Sequence, residues 1–143
     1  MRRRMKLYEF FDEWQDLDVD ERVQMLVELA DELPPLSESR RTAPLPAECR
    51  VQECQTPVHL WVDVIEDRVH LEADVPRQSP TVRGLVTLVL QGVEGASPAQ
   101  VLSIPDDLLT PLGLREALGL TRQHGVRGLV ARIKQEVRRR RRI

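Results

Sequence analysis

The sequence has few cysteines, no long apolar run and almost no net charge. Cys49 and Cys54 are the only cysteines among 143 residues. Two are too few for a disulfide framework, so we predict two free thiols. No apolar segment approaches the roughly 20 residues that cross a bilayer. A formal net charge of -2 excludes a strongly basic nucleic-acid-binding protein and an acidic disordered tail.

Familiar catalytic signatures are missing as well. Gly92 and Gly95 lack the lysine and the strand-to-helix context of a phosphate-binding loop. There is no Ser-His-Asp signature, and the only histidines are His59, His70 and His124. The cysteines are therefore the residues most suited to carry chemistry in this chain.

Length and composition predict one domain over residues 1–143. A chain of 143 residues with 41% hydrophobic residues is large enough for its own core, expected over residues 5–137. Residues 138–143 are a basic tail, interpreted as a solvated helix end whose arginines suit the helix dipole. The alternative is a handle for a partner or for nucleic acid, and a net acidic chain gives nucleic acid little support.

The N-terminus predicts the cellular location. Its first residues, Met-Arg-Arg-Arg-Met-Lys-Leu-Tyr, are positively charged. A signal peptide would add an apolar segment and a small-residue cleavage site, and neither follows. We therefore predict a cytoplasmic protein.

Two short helices are predicted first. Apolar residues over residues 5–17 recur at three and four positions, which indicates one helical face. Asp18 is expected to cap a second helix, with Glu21 completing a capping box. A proline pair ends this helix, and residues 36–48 are expected to form an irregular connection. The predicted buried stripe of the second helix is Val19, Val23, Leu26, Val27, Ala30 and Leu33.

A hairpin and further helices follow. Residues 58–75 alternate apolar and polar side chains around a turn at residues 66–67, which predicts two antiparallel strands. His59 and His70 fall on the more polar face, and Trp61 beside them predicts that something covers that face. Ser79-Pro80 and Ser97-Pro98 are each predicted to start a helix, with serine as the cap and proline at the first position. Residues 104–119 are predicted to form one or two further helical turns. A last helix is predicted from Val126 to Val137, and it is expected to fray into the arginines that follow. The order predicts an α+β fold with helices flanking a small antiparallel sheet.

Cys54 lies where a polar loop meets the first strand. After Pro57 the sequence becomes apolar and β-branched, so the thiol is predicted on a loop that a rigid scaffold holds. Folds usually present reactive groups in this way. Arg50 should favour ionisation of the thiol and Glu53 should oppose it. An unreactive structural cysteine remains the alternative.

Two further hypotheses use neighbouring residues. Cys54 and His59 could form the nucleophile and base of a free-standing thiol enzyme. Alternatively, Cys49, Cys54 and His59 could bind zinc or act as an iron-sulfur scaffold, with His70 or Asp63 as a fourth ligand. The tight Cys-x-x-Cys spacing of many such sites is absent.

Four stretches carry a resemblance to a known family. They are Val51-Gln-Glu-Cys-Gln-Thr-Pro-Val, Glu-Leu-Pro-Pro-Leu after the second helix, Thr81-Val-Arg-Gly-Leu-Val, and Leu118-Gly-Leu-Thr with Gly128-Leu129. In order and spacing they resemble motifs of the SufE family, the sulfur-acceptor proteins of iron-sulfur cluster assembly. The family's usual glycine before the cysteine is Glu53 here. Its late arginine has two candidates, Arg122 and Arg127.

The resemblance implies a fold like that of the IscU scaffold proteins and a task in sulfur relay. A SufS-type cysteine desulfurase would pass persulfide sulfur to Cys54, for delivery to an iron-sulfur scaffold such as SufBCD. The pyridoxal phosphate would belong to the desulfurase, and this chain would carry no cofactor and act as carrier and activator rather than as an enzyme. Cys54 should be sheltered in the isolated protein and swing out to meet its donor. Cys49 is interpreted as structural, with a regulatory disulfide as the alternative.

Overall fold

The structure is a computed structural model and describes residues 4–141; the predictions that fall on residues 1–3 and 142–143 lie outside the described residues. Its helices and strands are α1 (Lys6–Trp14), α2 (Val19–Leu29), β1 (His59–Ile65), β2 (Arg68–Asp74), α3 (Pro80–Val93), α4 (Pro98–Leu102), α5 (Leu109–Leu112) and α6 (Arg115–Arg140). Single-turn 3₁₀ helices lie at Ala30–Glu32, Glu38–Arg40 and Ala47–Cys49. This order confirms the predicted α+β class.

Helix α2 begins as predicted but buries a different face. The Asp18 carboxylate accepts from the backbone N–H of Glu21 at 2.9 Å, and the Glu21 carboxylate accepts from the N–H of Asp18 at 3.0 Å. Leu26 is fully buried, whereas Val19 and Val27 are 47% and 37% exposed. The predicted stripe was therefore wrong at both valines. Val27 lies about 100° around the helix from Leu26, and Val19 lies in the first turn, at the end of the helix.

The hairpin has the predicted strands and turn. Strands β1 and β2 pair antiparallel with Val62 opposite Leu71. Glu66 and Asp67 form the turn with φ of 50° and 62°. Positive φ at both central residues is what a two-residue type I′ hairpin turn requires.

The polar face of the hairpin is covered, as Trp61 predicted. Arg40, in the second 3₁₀ turn, places its guanidinium 5.9 Å from the centre of the Trp61 ring. The same guanidinium pairs with Asp63 at 2.9 Å and with Glu72. One arginine from the irregular connection thus covers the tryptophan and pairs with both strands.

Helix α3 is the central helix of the core, and α1, α2 and β2 all pack against it. A Cβ at Gly84 would lie 2.0 Å from the carbonyl oxygen of Leu26, so only glycine lets α2 approach this closely. The helix starts at Pro80 as predicted. Ser79, however, does not cap it through its side chain; its hydroxyl accepts instead from the hydroxyl of Thr56 at 3.4 Å.

Helix α6 packs against β1, α4 and α5. Its first turn is set off by a kink at Gly119, where φ is 79°. The helix continues to Arg140, so the predicted fraying after Val137 was wrong. The carboxylate of Glu136 pairs with Arg139 at 2.9 Å and with Arg140 at 3.8 Å, and such pairs at three and four positions stabilise a last turn. No helix among residues 4–141 combines the length and apolar character needed to span a membrane.

Candidate functional site

The segment of residues 51–58, here called the cysteine loop, is closed at its base by the start of the hairpin. The N–H of Val51 donates to the carbonyl of Val58 at 2.9 Å, and Arg50 forms an antiparallel bridge with His59. Val51 and Val58 are both 0% exposed. The two ends of the loop are therefore anchored in the core.

Arg132 of α6 fixes the chain just before the loop. Its guanidinium donates to the carbonyl oxygen of Arg50 at 3.1 Å and to that of Glu48. It also pairs with Glu136 one helical turn later, at 3.5 Å. The residues entering the loop are thus held on the helix surface by charge-assisted hydrogen bonds.

Cys54 lies at the tip of the loop and points toward α6. Its thiol is half-buried and donates to the carbonyl oxygen of Gly125 across 3.6 Å. Its backbone N–H donates to the carbonyl of Val51 at 3.2 Å. A thiol is a weak donor, so this contact holds the sulfur loosely.

A small cavity lies beside the sulfur. Its volume is about 20 Å³, room for about one water-sized group. Helix α3 contributes Val82, Leu85 and Val86 to its wall, and α6 contributes Val126 and Leu129. The thiol therefore faces a mostly apolar space.

Burial raises the pKa of the Cys54 thiol to about 11, and the charge of Glu53 adds to this rise. Arg50 and Arg122 act in the opposite direction. The effects expected of Arg50 and Glu53 are thus confirmed in sign. With a pKa raised this far, the thiol in the closed loop is overwhelmingly protonated at neutral pH.

Two glycines of α6 lie under the tip of the loop. A Cβ at Gly125 would be 3.4 Å from the Cys54 sulfur, and one at Gly128 would be 2.4 Å from the Cβ of Glu53. Sequence reasoning assigned Gly125 no part in the site. The sequence feature that could have identified it is the pair Gly125 and Gly128, three positions apart on one helix. Two glycines at this spacing leave one helix face without side chains, so that another segment can approach it closely.

Of the two arginine candidates, the structure brings only Arg122 to the thiol. Arg122 lines the cavity and its charge acts on the sulfur. Arg127 is exposed and does not line the cavity. Of the two candidates, Arg122 is therefore the one placed to act on Cys54.

Cys49 and His59 are not assembled with Cys54. Cys49 lies in the third 3₁₀ turn, where burial and Glu48 raise its pKa while Arg132 opposes them. His59 does not line the cavity, and its buried Nδ1 has no hydrogen-bond partner among residues 4–141. The thiol and imidazole of the enzyme hypothesis are therefore not paired.

The metal hypothesis is likewise unsupported. Within residues 4–141 no group of three or more His, Cys, Asp or Glu residues is placed to hold a metal ion. The residues expected to act as a fourth ligand have other partners, His70 with Glu94 at 2.5 Å and Asp63 with Arg40. The hypothesis that Cys49, Cys54 and His59 together bind a metal was therefore wrong for the described residues, where these side chains do not form a ligand cluster.

Comparison with known proteins identifies the family of this chain. The family model described as SufE, Fe-S metabolism associated domain, matches residues 6–137. The chain belongs to the SufE family. An uncharacterized SufE-like protein of Mycobacterium tuberculosis is 33% identical over 134 residues, which cover 92% of this chain and 91% of that protein. One from Rhizobium meliloti is 32% identical over 132 residues, 90% of this chain and 88% of that protein.

A solved structure has the same fold. The solution structure of a hypothetical protein from Thermus thermophilus is similar with a TM-score of 0.84 and 30% identity, covering 99% of this chain and 100% of that one. The fold predicted from the resemblance is thus confirmed. Membership of the SufE family gives this chain a role in iron-sulfur metabolism.

Proposed function

We propose that this SufE-family protein accepts persulfide sulfur from a SufS-type cysteine desulfurase onto Cys54 and relays it to iron-sulfur cluster assembly. The observation that carries the proposal is the position of the thiol. It lies at the tip of a loop whose base is anchored, against a cavity with room for one more small group. A group held in this way can be kept apart from solvent and then presented to another protein.

The transfer balances without an added oxidant or reductant. The Cys54 thiolate attacks the outer sulfur of the desulfurase persulfide, and a new S–S bond forms on Cys54. The S–S bond of the donor breaks, and its cysteine leaves as a thiolate that takes up the proton lost by Cys54. The donor is then free for another turnover, which is how the acceptor would stimulate it.

The high thiol pKa fits a carrier that reacts only with its partner. A closed loop keeps Cys54 protonated and so protects it from disulfide exchange and oxidation. When the loop opens, the sulfur leaves its apolar surroundings, and its pKa should return toward the ordinary value of 9.0. Thiolate would therefore form at the moment of docking.

This function assigns the remaining parts to other proteins. The pyridoxal phosphate would be bound by the desulfurase, and the outgoing sulfur would go to a scaffold such as SufBCD. The chain would be a carrier and activator rather than an enzyme in its own right. Two free cysteines, Cys49 and Cys54, agree with work in a reducing compartment such as the cytoplasm.

Intact-protein mass spectrometry tests the proposal. The parent protein, Cys54→Ser and Cys49→Ser are each mixed with the desulfurase of the same organism and L-cysteine. The parent and Cys49→Ser should gain one sulfur atom, and Cys54→Ser should gain none. A sulfur gain that persists in Cys54→Ser would show that another thiol is the acceptor.

Turnover by the desulfurase separates carrier from enzyme. The parent protein should raise sulfide release by the desulfurase in the presence of a reductant, and Cys54→Ser should not. This chain with L-cysteine alone should release no sulfide. Release without the partner would contradict the carrier role.

A further inference from the structure

Glu53, the residue before the thiol, lies flat against α6 at Gly128. A Cβ placed at Gly128 would come within 2.4, 2.6 and 2.7 Å of the Cβ, Cγ and Cδ of Glu53. The glutamate side chain thus occupies the space that any other residue at position 128 would fill. Glu53 and Gly128 are complementary in size, although they lie far apart in the sequence.

The closeness of the Glu53 Cβ decides what this contact controls. A changed rotamer could move the Cγ and Cδ of Glu53 away from the helix, but the Cβ is fixed to the backbone. Because the Cβ cannot rotate away, a methyl group at Gly128 must displace the backbone of the loop tip. Cys54 is the next residue, and its sulfur would move with it.

Packing rather than charge holds Glu53 in place. Within residues 4–141 its carboxylate makes no ion pair and no hydrogen bond, and the residue as a whole is exposed. Its methylene groups and its carboxyl carbon lie against the helix, while within residues 4–141 the carboxylate oxygens make no polar contact. The shape and the charge of Glu53 can therefore be altered separately.

We propose that Glu53 is a positioning residue, and that its contact with Gly128 is the latch that holds Cys54 in its closed position. The significance of the latch rests on the proposed sulfur transfer, because a carrier must open its loop to react. The other tip contacts are long, such as the 3.6 Å from the Cys54 sulfur to Gly125. Of the two glycines under the tip, Gly128 is the one at which an added Cβ would clash with the loop, whereas a Cβ at Gly125 would lie 3.4 Å from the Cys54 sulfur.

A double-mutant cycle on the isolated protein tests the latch. The readout is the alkylation rate of Cys54 by iodoacetamide at about pH 8, in a Cys49→Ser background so that one thiol is followed. This rate is proportional to the population of the open loop. Gly128→Ala should raise it at least about tenfold, because the closed tip no longer fits.

The matched control is the same substitution without the opposing side chain. In a Glu53→Gly background the obstructing Cβ is gone, so adding Gly128→Ala should change the alkylation rate by less than about twofold. Cys54 in the Glu53→Gly variant alone should already be alkylated faster than in the parent, because the latch is missing. Equal effects of Gly128→Ala in both backgrounds would overturn the proposal, since the two residues would then act independently.

A conservative variant separates shape from charge. Glu53→Gln keeps the methylene groups on Gly128, so the alkylation rate should stay within about threefold of the parent, a change set by the lost charge alone. A rate as fast as that of Glu53→Gly would show that charge and not packing holds the loop, and would overturn the latch.

Misfolding of a variant and failure of the proposed sulfur transfer can both be distinguished from failure of the latch. Circular dichroism identifies variants that fail to fold. If Gly128→Ala is one of them, the alkylation rates of Glu53→Gly and Glu53→Gln still test the latch. Equal rates for these two variants would contradict it. No desulfurase is present, so a failed latch leaves the sulfur-transfer proposal standing. Absence of sulfur gain at Cys54 in mass spectrometry would overturn the function and leave the alkylation cycle unaffected.

Discussion

The base and the tip of the cysteine loop are held to the rest of the protein by contacts of different strength. At the base, Val51 and Val58 are fully buried and joined by a hydrogen bond of 2.9 Å, and Arg132 donates to backbone carbonyls. At the tip the polar contacts are the thiol to Gly125 at 3.6 Å and Thr56 to Ser79 at 3.4 Å. The N–H···O bonds of 2.9 and 3.1 Å at the base fall within the usual range of about 2.7 to 3.2 Å, whereas a thiol is a weak donor at any distance.

This difference shows how a loop can open without unfolding the protein. The tip has few polar contacts to lose, so its release costs a small part of the global stability. The base keeps both ends of the loop in register with the hairpin, so the moving segment is short. A stiff base limits where the thiol can travel, and a weakly bound tip lets it leave.

The largest effect is expected from breaking the base. Arg132→Met keeps most of the packing of the side chain but removes its hydrogen bonds to the carbonyls of Glu48 and Arg50. It also leaves Glu136, only 15% exposed, without this partner. We expect the free energy of unfolding to fall by about 2 kcal/mol, measured by urea denaturation.

A second arginine on the same carboxylate provides the control. Arg139 pairs with Glu136 at 2.9 Å, but its side chain is 69% exposed. Arg139→Met should therefore cost less than about 0.5 kcal/mol. If the two variants were equally stable, Arg132 would contribute only a surface ion pair, and the base would not be stronger than the tip.

The parts of this molecule that local signals specify were predictable from its sequence. The capping box at Asp18 and Glu21 and the turn at residues 66–67 depend on neighbours within three or four positions. The position of Cys54 before a strand followed from the change from polar loop to apolar alternation. Each of these features needs only a few adjacent residues to agree with the fold.

The remaining features depend on residues far apart in the chain. Val27 is exposed because the approach of α2 to Gly84 determines which face is buried. The latch joins Glu53 to Gly128, and the thiol meets Gly125 across 71 positions. Periodicity along one helix reports its apolar face, but it does not tell which residue of another element will lie on a glycine.

An intermediate effect is expected from titrating the tip. The pKa of Cys54 is raised from 9.0 to about 11, chiefly by burial. The folded state therefore retains its proton where the unfolded state has lost it, and stability falls as pH rises from about 9 to about 11. Below about pH 8 both states are protonated, and this contribution to stability is fully present.

The comparison with Cys54→Ser isolates this effect from other groups that titrate in alkali. Thermal unfolding of the parent should show a steeper loss of stability between about pH 9 and about pH 11 than that of Cys54→Ser. Below about pH 8 the difference between the two proteins should be constant. Parallel curves throughout would mean that the thiol is not sheltered in the closed loop.

The smallest effect is expected from the tie between the loop tip and α3. Thr56→Val keeps the shape of the side chain but removes the hydroxyl that donates to Ser79 at 3.4 Å. Stability should change by about 0.5 kcal/mol or less because the bond is long and half-exposed, while Cys54 alkylation should rise about twofold. Thr42→Val, which removes an exposed hydroxyl bonded to the carbonyl of Pro44 at 3.0 Å, should leave the alkylation rate unchanged. Equal alkylation rates in Thr56→Val and Thr42→Val would mean that the tip is not tied to α3. The population of the open loop responds to the contacts of the tip, and the global stability responds to those of the base. A variant that changes the alkylation rate with almost no change in stability would therefore show that the two regions act separately.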